Sequence, residues 1–404
     1  MNRENLVKIN NIQNTHLNKY FLGNLFKDYK KLEKEIIEDI NNSSKTLNVL
    51  NKNYKFNFTT NDIKKFKKFK TIAIIGMGGS ILGAESIYNF LEIKIKKKIY
   101  FFDDLDPIKN SYFKKKENLK KVLFIIISKS GNTIETLSNF LNIKVLKKNS
   151  KNIIVISEKK NSSLYLIAKK FNIFYVEHKK NIGGRYSVLS EVGVVPAYLM
   201  GLNIVKLRSN ILNFFGIKKR LFLKDSTIKL AYLLRRNKIK NIIFLNYAPE
   251  LEKFLFWYQQ LIAESLGKKG KGFLPVISNS PKDHHSLLQL YLDGPKDKIF
   301  YVFSSFNKSK EKIVVKKIKK INYLNKKKLN TIKNAQKNAL IETLKIKKIP
   351  FREFKIKSKN ESTIGELFSY FTLETIIIGK LVKINPFDQP AVEQVKGLTE
   401  KLLR

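Results

Sequence analysis

The chain has 404 residues, 43% of them hydrophobic, with 29 Phe and 17 Tyr; that is apolar material for a large buried core and argues against global disorder. With no Cys and 4 His, it excludes disulfides, thiolate catalysis and Cys-ligated metal clusters, and disfavours an all-histidine metal site. The formal net charge of +46 invites a nucleic-acid reading, but the lysines recur as short runs (64–70, 94–98, 326–328) in a chain rich in Asn, Ile, Phe and Tyr and poor in Gly and Pro, which points to A/T-rich coding and to no dedicated nucleic-acid partner.

The first ten residues lack the apolar stretch of a signal peptide, and no apolar run reaches the roughly 18 residues of a bilayer span. A cytoplasmic protein without a membrane segment is expected. Residues 1–65 read as a polar, helical N-terminal segment, with apolar residues at helical spacing from Tyr20 to Leu50. The pattern changes near Thr71. Short apolar runs at 71–76, 98–103, 122–127, 152–157 and 173–177 read as strands, with helices between them. The same alternation returns at 240–246, a helix over 250–266, strands at 273–278 and 298–304, and helices over 329–344 and 364–382. The Lys-rich stretch 307–328 reads as loop or strand and loop. The fold class is therefore α/β with two mainly parallel sheets flanked by helices. The expected divisions are 1–65, 66–205, 206–384 and a C-terminal tail over 385–404.

Two turns carry phosphate chemistry. Gly76-Met77-Gly78-Gly79-Ser80 leaves a buried strand and opens a helix, so its backbone can approach a ligand and its N–H groups can face an anion. A dinucleotide fingerprint needs Gly at position 81, where Ile81 stands. Ser128-Lys129-Ser130-Gly131-Asn132-Thr133 repeats the arrangement with three hydroxyls within six positions. Such a turn holds a phosphate without a metal, or equally caps a helix through Ser130 or Asn132. Both turns fall at the carboxyl ends of strands, where α/β sheets bind ligands. Together they point to a small phosphorylated molecule.

Trp257, Leu261 and Glu264 share one face of the 250–266 helix. A carboxylate on an apolar stripe near a helix C-terminus is destabilised by desolvation and by the macrodipole, which suits a general base near neutral pH. Pairing with Lys268 or Lys269 is the competing expectation. Arg185 follows two glycines, which presents a fixed guanidinium or an ordinary surface arginine. His284 and His285 are adjacent and precede an apolar helical run. Lys396 is one of many lysines.

The stretches 75–83, 128–136, 183–193, 257–276, 283–294 and 385–396, in that order, resemble the phosphoglucose isomerase family. The resemblance spans about 70 to 396. It implies two sugar-isomerase domains, a tail that completes the site, and conversion of glucose 6-phosphate to fructose 6-phosphate with neither cofactor nor metal. By position, Glu264 implies the base that shuttles a proton between C2 and C1. Arg185 implies the stabiliser of the enediolate, His285 the ring-opening histidine with His284 a bystander, and Lys396 the tail lysine at the ring oxygen. Ser128, Ser130 and Thr133, with Lys129 beside them, hold the phosphate, and Gly79 and Ser80 contact the sugar. Ser130 and Asn132 stand where many members have threonine, so a hydroxyl is missing at 132. Family members are usually homodimers whose partner subunit supplies that histidine. A sugar-phosphate sensor on the same fold, and an enzyme that also accepts mannose 6-phosphate, are the alternatives.

Overall fold

The structure, a computed structural model, describes residues 7–13, 19–215, 217–306, 310–315 and 318–404. Two five-stranded sheets organise it. The first has the order β3-β2-β4-β5-β6 and is wholly parallel. Its strands are β2 (Thr71–Ile75), β3 (Lys98–Phe102), β4 (Val122–Ile127), β5 (Ile153–Ser157) and β6 (Phe174–Glu177). Every residue of β4 and β5 is buried, because helices cover both faces of the sheet; this is why these strands read as unbroken apolar runs rather than as alternation.

The second sheet has the order β1-β10-β9-β7-β8. It contains β7 (Asn241–Asn246), β8 (Leu274–Asn279), β9 (Lys298–Ser305) and β10 (Phe351–Ile356), all parallel, plus one antiparallel edge strand, β1 (Val7–Gln13). The N-terminal segment is helical as expected, with a strand added before its helix. The segment does supply a long helix, Lys19–Asn41, whose Leu25, Tyr29, Leu32, Ile36 and Ile40 face inward at helical spacing. Yet it begins with a strand whose partner lies over 300 positions away, Val7 opposite Ile356. A short polar strand held by non-local pairing leaves no periodic signal of its own. Elements that escaped the sequence pattern include β10, the Glu191–Leu199 helix, the Ile217–Arg236 helix and the C-terminal Ala391–Leu402 helix. Of the 307–328 stretch, 319–324 forms a short 3₁₀ helix; 307–309 and 316–317 lie outside the described residues.

One apolar core runs between the two sheets, with a smaller one on the outer face of each. The Glu361–Leu381 helix lies almost entirely inside the central core, capped at its start by the Asn360 side chain, which accepts from Thr363 N at 2.9 Å. Fully buried Arg352 of β10 reaches this helix and donates to both oxygens of Glu374, at 2.7 and 2.6 Å. Tyr258 donates to the same carboxylate at 3.2 Å. This network ties the second sheet to the Glu252–Leu266 helix, and so to Glu264 further along it. No described helix is long and apolar enough to cross a membrane.

Candidate active site

The first glycine turn follows β2 and is shaped by close approach. Gly78 has φ +51°, and Gly79 lies so near the 183–185 turn that a Cβ would come within 2.3 Å of the Gly184 carbonyl carbon and 2.5 Å of Arg185 N. No other residue fits at 79 without moving Arg185. Ser187 Oγ fastens the two turns, donating to Gly184 O at 2.6 Å and to Gly79 O at 3.4 Å. Ser80, half-buried, closes the turn with its N–H on Met77 O at 3.1 Å. The sugar contacts expected of Gly79 and Ser80 thus lie beside Arg185.

Arg185 is not a surface residue: it is 3% exposed and its guanidinium is fully engaged. Nε donates to Ser265 Oγ at 2.9 Å, and Nη1 to Gln389 Oε1 at 2.7 Å and Glu264 Oε2 at 3.1 Å. Nη2 donates to Pro386 O at 2.5 Å and Asp388 O at 3.1 Å. Tyr186 OH also donates to Pro386 O, at 2.6 Å. Lys268 pairs with Asp388 at 2.8 Å. Residues 386–389 are therefore strapped across the site by one buried arginine and its neighbours.

Glu264 stands with this arginine, as its proposed role requires, but its environment differs from the expectation. Trp257 and Leu261 on its face are buried, whereas the Glu264 side chain is 33% exposed. Its carboxylate is not stranded in apolar surroundings: one oxygen meets Arg185, the other accepts from Gln260 Nε2 at 2.9 Å. Ser265, the next residue, is fully buried and carries the inward contact to Arg185 and Tyr186. Among the described residues Glu264 pairs with neither Lys268 nor Lys269; Lys268 is held by Asp388. Gln260 escaped the sequence reasoning. It precedes Glu264 by one helical turn and abuts Gly78, whose Cβ would lie 2.8 Å from Gln260 Nε2, so it links the glycine turn to the carboxylate.

The hydroxyl turn leaves β4, the neighbour of β2, so the two turns start about 5 Å apart. Ser128 Oγ lies 2.8 Å from Thr133 Oγ1 and 3.4 Å from Ser130 Oγ, and Ser130 lies 3.3 Å from Thr133. Ser128 and Ser130 also accept from Gly131 N and Asn132 N, at 3.1 and 3.2 Å, within the loop; the helix starts at Ile134 after Thr133 without a side-chain cap, so neither Ser130 nor Asn132 caps it. Gly131, at φ +71°, would collide with Ser162 Oγ if it bore a side chain. Asn132 faces away from the hydroxyls, and its Oδ1 accepts from Ser163 N at 2.8 Å, at the start of the Ser163–Lys170 helix. The missing hydroxyl at 132 is thus exchanged for a tie to the neighbouring helix. Lys129 lies 3.5 Å from Glu158, and burial, reinforced by Lys160 and Arg185, holds its ammonium pKa below the ordinary lysine value.

The remaining expected site residues make no bond to this group among the described residues. His285 ends a 3₁₀ turn after β8 and is exposed; among the described residues no hydrogen bond or ion pair joins it to Glu264 or Arg185. His284 is the better-held neighbour, its Nε2 2.6 Å from Tyr247 OH. Lys396 lies on the Ala391–Leu402 helix, which has no buried residue, and pairs with Glu393 one turn back at 2.7 Å. Among the described residues no cluster of three or more His, Asp or Glu could hold a metal ion.

The geometry is thus a carboxylate against a fixed guanidinium, roofed by the tail, beside a hydroxyl-rich turn. The phosphoglucose isomerase family matches the chain over residues 31–273. A probable glucose-6-phosphate isomerase of Methanococcus maripaludis is 34% identical over 422 aligned positions, covering 100% of this chain and 95% of that protein. The glucose-6-phosphate isomerase of Methanocaldococcus jannaschii is 34% identical, covering 84% of this chain and 86% of its own length. The crystal structure of a glucose-6-phosphate isomerase from Chlamydia trachomatis shares the fold with TM-score 0.75 at 17% identity, over 98% of this chain and 88% of that one. On its sequence, the chain belongs to the phosphoglucose isomerase family.

Proposed function

We propose that the chain interconverts glucose 6-phosphate and fructose 6-phosphate, with Glu264 moving the proton. The reaction is an internal redox exchange: hydrogen leaves C2 and arrives at C1, the O2 proton passes to O1, and the carbonyl shifts from C1 to C2. No electrons leave the substrate. In this reading Glu264 takes the C2 proton and, as the acid so formed, returns it to C1. Arg185 faces the charge that develops on the enediolate oxygens, and its five hydrogen bonds mean that little reorganisation is needed when that charge appears. Ser128, Ser130 and Thr133, with Lys129 beside them, bind the phosphate, while Gly79 and Ser80 bind the sugar. Phosphate held away from C1 and C2 orients the reacting end. The observation that carries this reading is the 3.1 Å contact between Glu264 and Arg185, elements 79 residues apart in sequence.

His285 is read as the ring-opening group and Lys396 as its helper at the ring oxygen. Since neither bonds to Glu264 among the described residues, this reading favours a cytoplasmic homodimer in which each site draws His285 from the other subunit. The two sheets are read as two sugar-isomerase domains over 66–205 and 206–384, the second extended by β1, with the tail over 385–404 completing the site. The test is interconversion of the two sugar phosphates by purified protein in EDTA, with a coupled reading of glucose 6-phosphate. Turnover supports the assignment. Tight sugar-phosphate binding without turnover would replace it with the sensor reading.

A further inference from the structure

The lysines that scatter along the sequence converge in space. Runs or single lysines lie within two positions before β2, β3, β4 and β5, which begin at Thr71, Lys98, Val122 and Ile153. These strands are parallel, so all begin at one edge of the first sheet. Backbone contacts lock the edge together: Lys98 N donates to Lys70 O at 3.0 Å, and Phe124 N to Asn152 O at 2.8 Å. A cavity of about 700 Å³ opens there, lined by Lys68, Lys70, Lys120, Lys121 and Lys151, with Phe69 and Glu117. Glu117 is the cavity's one carboxylate, and it is already occupied by Lys98 and by Tyr100 OH, the latter at 2.7 Å. Among the described residues none of the five lining lysines forms an ion pair.

We propose that this cavity is a binding site for an oligophosphate, a chain of two or more linked phosphates. The turns of the candidate active site leave the opposite edge of the same sheet, roughly 16 Å away for five-residue strands. A single phosphate would not need five ammonium groups, whereas a di- or triphosphate chain brings three or four negative charges into one place. The volume of this open pocket falls within the roughly 300–1,000 Å³ of small-molecule sites. Lys70 and Lys121 directly precede the adjacent strands β2 and β4, about 5 Å apart, which is inside the Debye length of about 10 Å, so their fields add on an incoming polyanion. Half-buried Phe69, with Lys68 Nζ 5.6 Å from its ring centre, supplies an apolar wall.

The test is calorimetric titration of the full chain with inorganic tripolyphosphate and with ATP at about 50 mM salt. Lysine acetylation mapped by mass spectrometry, with and without tripolyphosphate, locates the site. The expected result is binding with protection of Lys68, Lys70, Lys120, Lys121 and Lys151. K70E/K121E should weaken it roughly tenfold or more through reversed charge, with sugar-phosphate isomerisation unchanged. K27E/K30E, an equal charge change on the exposed face of the Lys19–Asn41 helix, should cost much less. Equal affinity for tripolyphosphate and ATP assigns the free phosphate chain; tighter ATP assigns a nucleotide with its base on Phe69. Overturning results are no binding, an equal loss in both double variants, protection confined to the hydroxyl turn, or binding of a short single-stranded RNA but of neither small probe.

Discussion

The two halves of the proposed chemistry are built differently. The proton-transfer half is assembled within one chain: Glu264 meets Arg185, and Arg185 is fixed by Ser265 and by the 386–389 strap. The ring-opening half is left on exposed elements, His285 on a short turn and Lys396 on a helix without a buried residue. Precision in the first half comes from burial of an arginine that cannot lose its charge, with an acceptor for each of its nitrogens. The second half has no such anchoring in a single chain, so its geometry has to come from elsewhere. A partner subunit is the source proposed above.

The largest expected effect falls on the assembled half. Glu264→Gln keeps size and the Gln260 contact but cannot accept a proton, so turnover should fall roughly 10²- to 10⁴-fold while fructose 6-phosphate still binds, as read by calorimetry. Arg185→Lys should lower kcat by roughly 10²- to 10³-fold, as for loss of a charge-stabilising donor. It should also lower Tm, because one ammonium cannot satisfy Ser265, Gln389, Pro386 and Asp388 together. An Arg185→Lys protein with wild-type turnover would break the contrast between the two halves.

Next comes the exposed half. His285→Ala should slow cyclic substrate by about tenfold or more and spare substrate that is already open, as read in stopped-flow assays. Mixing His285→Ala with Glu264→Gln protein sharpens the comparison. If subunits share sites, dimers carrying one of each variant regain activity that neither has alone; no recovery would place both groups in one chain.

The smallest effect concerns the seam that carries the assembled half. Glu85, on the Leu82–Leu91 helix, is buried 3.5 Å from Lys253 of the Glu252–Leu266 helix. Burial, and then Asp103, pushes its carboxyl up to about 7, against the opposing charges of Lys253 and Lys109. Between its ordinary value and 7 the folded chain binds more protons than the unfolded one, so stability falls as pH rises through that window. Glu85→Gln should flatten the slope, by up to about 3 kcal/mol across it, measured as urea midpoints at acid and neutral pH. An unchanged slope would show that Glu85 is charged without cost.

Legibility followed locality. The two turns and the strands before them were readable because the glycines, hydroxyls and apolar runs are contiguous, and Arg185 stood out through its flanking glycines. The carboxylate of Glu264 was readable as a candidate, but its surroundings were not: helical periodicity put it with Trp257 and Leu261, while the contact that matters comes from a turn 79 positions earlier. Gln260 and the strap residues Pro386, Asp388 and Gln389 fall inside stretches that carry the family resemblance, but their contacts with Glu264 and Arg185 are visible only in three dimensions. Likewise β1 exists because β10 is there to pair with it. The roles of His285 and Lys396 came from family resemblance alone.

The most direct test of the account is solvent exchange during turnover. In deuterated water with EDTA, the wild-type chain should place deuterium on the substrate carbon that receives the proton, and Glu264→Gln should abolish this while still binding the sugar phosphate. Undiminished exchange in Glu264→Gln would contradict the assignment of the base, and with it the claim that the Glu264–Arg185 pair is where the proton moves.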